Sequence, residues 1–238
     1  MTISSYQRIL VAYSGILTLA FAVFIFSGAK RDKTARFDEI TVERINIVEA
    51  DGTHRIVMSN AERFQLAPLK NKMYPHPNRN SGGIFFMDAE GTEIGGLIYH
   101  GKTDKDGKIS SGGQLSFDRY NDDQVTTIGV QENNGKTRSY VNFKQRTGDR
   151  KEHIIQVVER IGALPKTEHK AAWDTWSKEN PTATRVLLSM TQDESAFLSL
   201  KDPQGRERLK LNVDEEGNPS IVMFDKDGNE IERIPKKK

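Results

Sequence analysis

The chain contains no cysteine in its 238 residues. Disulfides, thiolate metal ligands, cysteine nucleophiles and a cysteine-linked lipid anchor are therefore excluded. It also lacks an excess of either charge, with 35 basic residues against 33 acidic ones and a formal net charge of +2. Nucleic-acid binders normally carry a marked basic surplus on one face, so nucleic acid is not an expected partner. Catalytic signatures are missing too. There is no GxSxG elbow, no glycine-rich phosphate loop ending in Lys-Ser/Thr, and no strand-GxGxxG-helix unit. The five histidines, at 54, 76, 100, 153 and 169, show no HxH or HExxH spacing. No catalytic residue, metal ligand or cofactor is assigned from these patterns.

What is present begins with one long apolar run. Ile9 to Ala29, ILVAYSGILTLAFAVFIFSGA, carries no charge. At 1.5 Å rise per residue it reaches about 31 Å, enough to cross the hydrocarbon core of a bilayer. A buried core helix would show a polar stripe, and this run has none. Residues 1–8 form a short tail, 9–29 a transmembrane anchor or signal segment, and 30–36 a charged linker. Ser27-Gly-Ala29 has the small residues that a signal peptidase needs, but the run is long for a signal and only Arg8 precedes it. An uncleaved anchor is the favoured reading. Lys30, Arg31, Lys33 and Arg36 follow the run, which by the positive-inside rule keeps the C-terminal side in the cytoplasm. The plan of short tail, single span and soluble remainder is that of an exported domain, and an extracytoplasmic location is the expectation.

Residues 37–235 read as short apolar-polar alternations separated by acidic turns. Leu209-Lys-Leu211-Asn-Val213 puts three aliphatics on one face, the signature of a half-buried strand. Val186, Leu188 and Met190 repeat it, as do Leu198 with Leu200 and Leu115 with Phe117. Between such runs stand Asp51-Gly52, Asp88–Gly91, Asp104–Gly107, Glu132–Gly135, Asp202–Gly205, Asp214–Gly217 and Asp225–Gly228. The expected fold is mainly β, an antiparallel meander of hairpins closed as a barrel or packed as two sheets. Asp starts such turns by accepting a backbone bond, and Gly ends them by taking positive φ.

The acidic corners raise the question of calcium. An EF-hand loop needs oxygen ligands at positions 1, 3, 5 and 12 and glycine at 6. Aligning Asp104, Asp106 and Gly107 with positions 3, 5 and 6 puts Lys102 at position 1 and Gly113 at 12. The Asp225 loop puts Met223 at position 1. Turns are the better reading.

A helical insert is expected at about 150–180. Asp149 with Glu152 has capping-box spacing, and Ile154, Ile155, Val157, Val158 and Ile161 share a helical face ahead of Gly162. Glu168–Glu179 forms a second helix stopped by Asn180-Pro181, with Trp173 and Trp176 expected to pack it on the sheet.

Two stretches exceed what turns require. Glu93-Ile-Gly-Gly-Leu-Ile-Tyr99 sets a carboxylate beside a double glycine, and Phe117–Gln124 combines aromatics with Asp118 and Arg119. Glu93, Asp118, Arg119 and Tyr120 are the candidate ligand-binding residues, and a buried charge pair with a bulge is the plainer account of the same pattern. Glu90 with Glu93, or Asp118 with Asp122 and Asp123, supply the carboxylate pairs of a glycoside hydrolase. The loop Met73–Asn80 reads as an exposed excursion fit to carry a contact surface.

On the stretches Phe37–Glu49, Asp51-Gly52 with Arg55 and Ser59-Asn60, Gly83–Tyr99 and Ser116–Gln124, the chain resembles a group of uncharacterised bacterial proteins with an N-terminal hydrophobic segment. The resemblance implies a shared fold and a bacterial source, and it carries no activity. The expectation is a membrane-tethered, non-enzymatic β module of the cell envelope, held in the bilayer by residues 9–29 and binding a protein, glycan or other ligand. An envelope carbohydrate hydrolase and a cytoplasm-facing scaffold are the alternatives.

Overall fold

Helix α1 spans Ser5–Ser27. It starts ahead of the apolar run because Ser4 and Gln7 form a reciprocal cap, the Ser4 N–H donating to Gln7 Oε1 at 3.0 Å and the Gln7 N–H to Ser4 Oγ at 3.4 Å. Its stretch Ser5–Ile25 has a mean hydropathy of 2.0 and no buried residue, so it is long and apolar enough to cross a membrane. A signal sequence has the same length and composition. The computed structural model describes residues 4–27, 34–76, 79–148 and 152–236. Ala29, the basic residues Lys30, Arg31 and Lys33, and Asp149 lie outside them. The chain divides into two units, residues 1–41 and 42–238.

The second unit is a single antiparallel ladder of twelve strands. These are β1 (Arg44–Val48), β2 (His54–Ser59), β5 (Gly83–Met87), β6 (Glu93–Thr103), β7 (Ile109–Asp118), β8 (Gln124–Asn133), β9 (Lys136–Arg146), β10 (Thr182–Met190), β11 (Ala196–Lys201), β12 (Glu207–Val213), β13 (Pro219–Phe224) and β14 (Glu230–Ile234). They lie side by side in chain order. Among the described residues β1 and β14 are the two ends of that order. A separate hairpin, β3 (Leu66–Leu69) with β4 (Lys72–Pro75), branches off between β2 and β5. Helices α2 (Ile154–Gly162) and α3 (Lys166–Glu179) interrupt the ladder between β9 and β10.

The register explains why the alternating pattern folds this way. One aliphatic from every strand falls on a single row, running Ile45, Met58, Ile84, Leu97, Leu115, Ile128, Val141, Leu188, Leu198, Leu211, Ile221 and Ile234. A slip of one residue anywhere would throw that strand's aliphatic to the other face, so the row fixes the register along the whole meander.

The acidic corners are the turns between these strands. Asp88, Asp104, Asp202, Asp214 and Asp225 each accept, through Oδ1, the N–H groups two and four residues on. These bonds, together with side-chain bonds from Asn218 and Asn229, hold Asp214 and Asp225 below the usual carboxylate range. Asn134-Gly135 joins β8 to β9 with φ of 51° and 81°, the primed turn that suits twisted strands.

The insert departs from expectation at its ends. Helix α2 begins after His153, which caps Ile155 and, with Gln156, forms the reciprocal box. Gly162 is the last helical residue, and Ala163 is the C-cap with φ of −78°, so no left-handed residue is used. Trp173 and Trp176 are half-buried and meet each other edge to face at 5.7 Å. It is α2, through Ile155, Val157 and Ile161, that buries the insert.

Candidate ligand-binding pocket

Two apolar clusters cover one face of the early ladder. Val57, Phe64, Phe85 and Met87 form the first, with the rings of Phe64 and Phe85 stacked at 4.0 Å. Ala67 and Leu69 of the β3–β4 hairpin with Ile155 of α2 form the second. Along that face the row across the strands reads Phe85, Gly96, Ser116, Thr127. Side-chain volume drops after Phe85, and a cavity of about 560 Å³ opens over the small residues. Gly96 is required here, since a Cβ would stand 2.5 Å from the Ile84 carbonyl oxygen. Hairpin, sheet and α2 all contribute walls, including Tyr74, Phe85, Ile98, Ile154 and Ile155.

The polar end of the cavity is built by two bulges. The pairing of β5 with β6 shifts between Phe86 and Met87, so Glu93 sits just beyond an extra residue. The pairing of β7 with β8 shifts between Phe117 and Asp118, here with the extra residue, Val125, on the opposite strand β8. Bulges re-aim the next side chain, and both carboxylates line the cavity. Arg79 answers Glu93, its Nη2 lying 2.7 Å from both carboxylate oxygens. Its Nη1 donates to the Leu66 carbonyl at 2.7 Å, and its guanidinium lies 4.4 Å from the Phe85 ring centroid. Arg146, at the end of β9, binds Asp122 at 2.9 Å and Asp123 at 2.7 Å. Three of these four carboxylates are thus held by two half-buried arginines, and Asp118 is left over.

Among the described residues, Asp118 Oδ1 is buried without a hydrogen-bond partner. Burial, reinforced by the charges of Glu93 and Asp123, pushes its pKa up to about 8. The carboxyl is therefore protonated at neutral pH. Burial also raises Glu93, against the opposing charge of Arg79. His153 and His76 line the same cavity, and burial holds both below the usual histidine range. His153 is 2% exposed, and its Nδ1 accepts the Ile155 N–H at 3.2 Å. The neutral ring then carries its proton on Nε2, which is buried and has no partner among the described residues.

Of the four residues singled out in the sequence, the cavity takes Glu93 and Asp118. Arg119 turns its guanidinium to the carbonyls of Arg146 and Gly148, at 3.1 and 3.3 Å, and stands 3.7 Å from Asp122. Tyr120 is exposed and donates its hydroxyl to Glu90 at 2.9 Å. Within Met73–Asn80, where residues 77 and 78 lie outside the described ones, Arg79 differs from the exposed contact residue expected, because Glu93 draws it inward as its counter-ion. Arg146 has no local signal at all, since its partners lie 22 to 24 residues away. No protein-family model matches this chain, and no curated protein does.

Proposed function

We propose that this chain is a membrane-tethered, non-enzymatic module of the bacterial cell envelope that binds a small ligand in the pocket between α2 and the sheet. One observation carries the reading: a cavity of about 560 Å³ joins aromatic and aliphatic walls to buried polar atoms, Asp118 Oδ1 and His153 Nε2, that have no hydrogen-bond partner among the described residues. That volume lies in the range of small-molecule sites, and convergent polar groups in an apolar pocket are their usual make-up. The length and composition of α1 support the tether. A C-terminal reporter active only outside the cytoplasm is expected to be active, whereas activity of a cytoplasm-only reporter would favour the anchored scaffold.

The binding test is a thermal-shift screen of the full chain in detergent against small aromatic and aliphatic fragments. Hits are expected to stabilise the wild type and lose that effect in Ile98→Trp, which fills the cavity. Hits that persist unchanged in Ile98→Trp would contradict the pocket.

A second reading, hydrolysis, is favoured by one feature, the raised Asp118 carboxyl, which suits a general acid. Against it, Glu93, Asp122 and Asp123, the carboxylates nearest Asp118 in sequence or charge, are each held by an arginine rather than poised as nucleophile or base. Chromogenic aryl glycosides are expected to be left intact, and turnover lost in Asp118→Asn would reverse the assignment.

A further inference from the structure

The chemistry of the ligand can be narrowed from the charges of the cavity, an inference that rests on the binding role proposed for it. Those charges do not cancel. Glu93 is matched by Arg79, and Asp122 with Asp123 share Arg146. Glu159 of α2 adds a further carboxylate to the lining, and Arg79 is the lining's one arginine or lysine among the described residues. The two lining histidines are held below their ordinary range by burial. An anion entering this space would meet like charge in a setting of low polarity, where repulsion is strong. A cation would meet the reverse. Among the described residues Asp118 Oδ1 is a buried carboxyl oxygen without a hydrogen bond, and an ammonium arriving there would displace the carboxyl proton to solvent and leave a buried ion pair that asparagine could not form.

A second group specifies more. His153, 2% exposed, presents a buried Nε2–H with no acceptor. A neutral oxygen on the ligand would satisfy it. The apolar walls, Tyr74, Phe85, Ile98 and Ile155, suit a flat or branched hydrocarbon body. We infer that the pocket takes small organic amines: an ammonium group directed to Asp118, and an apolar, preferably aromatic, body against Phe85 and Ile98. Polyanions are disfavoured by the same charges.

The test uses three probes of one shape: tryptamine (cationic), tryptophol (neutral) and indole-3-acetate (anionic), titrated calorimetrically into the full chain in detergent at pH 7. Tryptamine is expected to bind at least about tenfold more tightly than tryptophol, and indole-3-acetate more weakly than either. In Asp118→Asn, whose folding is checked by its melting curve, the advantage of tryptamine over tryptophol is expected to vanish while tryptophol still binds. Equal binding of all three, or a preference for the anion, would overturn the amine assignment and leave the pocket itself standing. So would a tryptamine preference that survives Asp118→Asn. Binding that is unchanged in Ile98→Trp would overturn both, and failure of all three probes would overturn the amine assignment.

Discussion

Asp118 is where a single residue sets the behaviour of the pocket. An aspartate in water loses its proton near 3.8, whereas the folded chain holds this one up to about 8. Between those values the folded state binds more protons than the unfolded state, so stability falls as pH rises through that window. The histidines act in the opposite sense: with His76 and His153 lowered, their contribution is present above about 6.5 and lost as pH falls below it. Asp118→Asn removes the first effect. Melting curves are expected to show the variant gaining on the wild type by at least about 1 kcal/mol between pH 5 and pH 8. A constant offset across that range would contradict the buried, protonated carboxyl. Arg146 is the other decisive residue, 8% exposed at its side chain and bound to two carboxylates. Arg146→Ala strips the counter-ion from buried Asp122 and is expected to cost about 3 kcal/mol in denaturant unfolding. A loss under about 1 kcal/mol would mean that the pair is not desolvated.

Among the elements, the turns explain themselves chemically. Asp Oδ1 accepts two backbone N–H groups, and a glycine with φ of 73° to 88° closes the corner at Gly91, Gly107, Gly205, Gly217 and Gly228. Gly228→Ala is expected to destabilise by about 1 kcal/mol, since alanine resists that φ. Calcium at millimolar concentration is expected to leave the melting temperature unchanged, and a rise of several degrees would show that the corners hold the ion. Burial separates the insert from the open sheet: Ile161→Ala, at a 1% exposed site of α2, is expected to cost about 2–5 kcal/mol. Leu188→Ala, at a 53% exposed site, is expected to cost well under that. These elements are legible in the sequence because their causes are local. Alternation, Asp-to-Gly spacing and helical periodicity all act within a dozen residues. The β3–β4 hairpin escapes such a reading because Pro68 breaks the strand pattern and Lys70-Asn71 turns with positive φ without glycine. The start of α2 escapes it because a histidine, rather than an aspartate, caps the helix.

At the scale of the molecule, a ladder built from neighbours in sequence creates a site from distant residues. Glu93 and Asp118 stand out because carboxylates beside glycines and aromatics are unusual in strands. Their partners do not. Arg79 reaches Glu93 across 14 residues, and Arg146 reaches Asp122 across 24, distances that only the folded register closes. His153 is one of five unremarkable histidines until α2 sets it over the sheet. The cavity itself follows from the run of small residues Gly96, Ser116 and Thr127, which are adjacent only once three strands pair. The pocket can be observed directly by methyl NMR of the full chain in detergent, with isoleucine δ1 groups labelled and tryptophol added. Binding there moves the resonances of Ile98, Ile154 and Ile155 together and leaves Ile45, Ile221 and Ile234 in place. Shifts confined to those outer isoleucines, or spread evenly over all six, would contradict a ligand seated between α2 and the sheet.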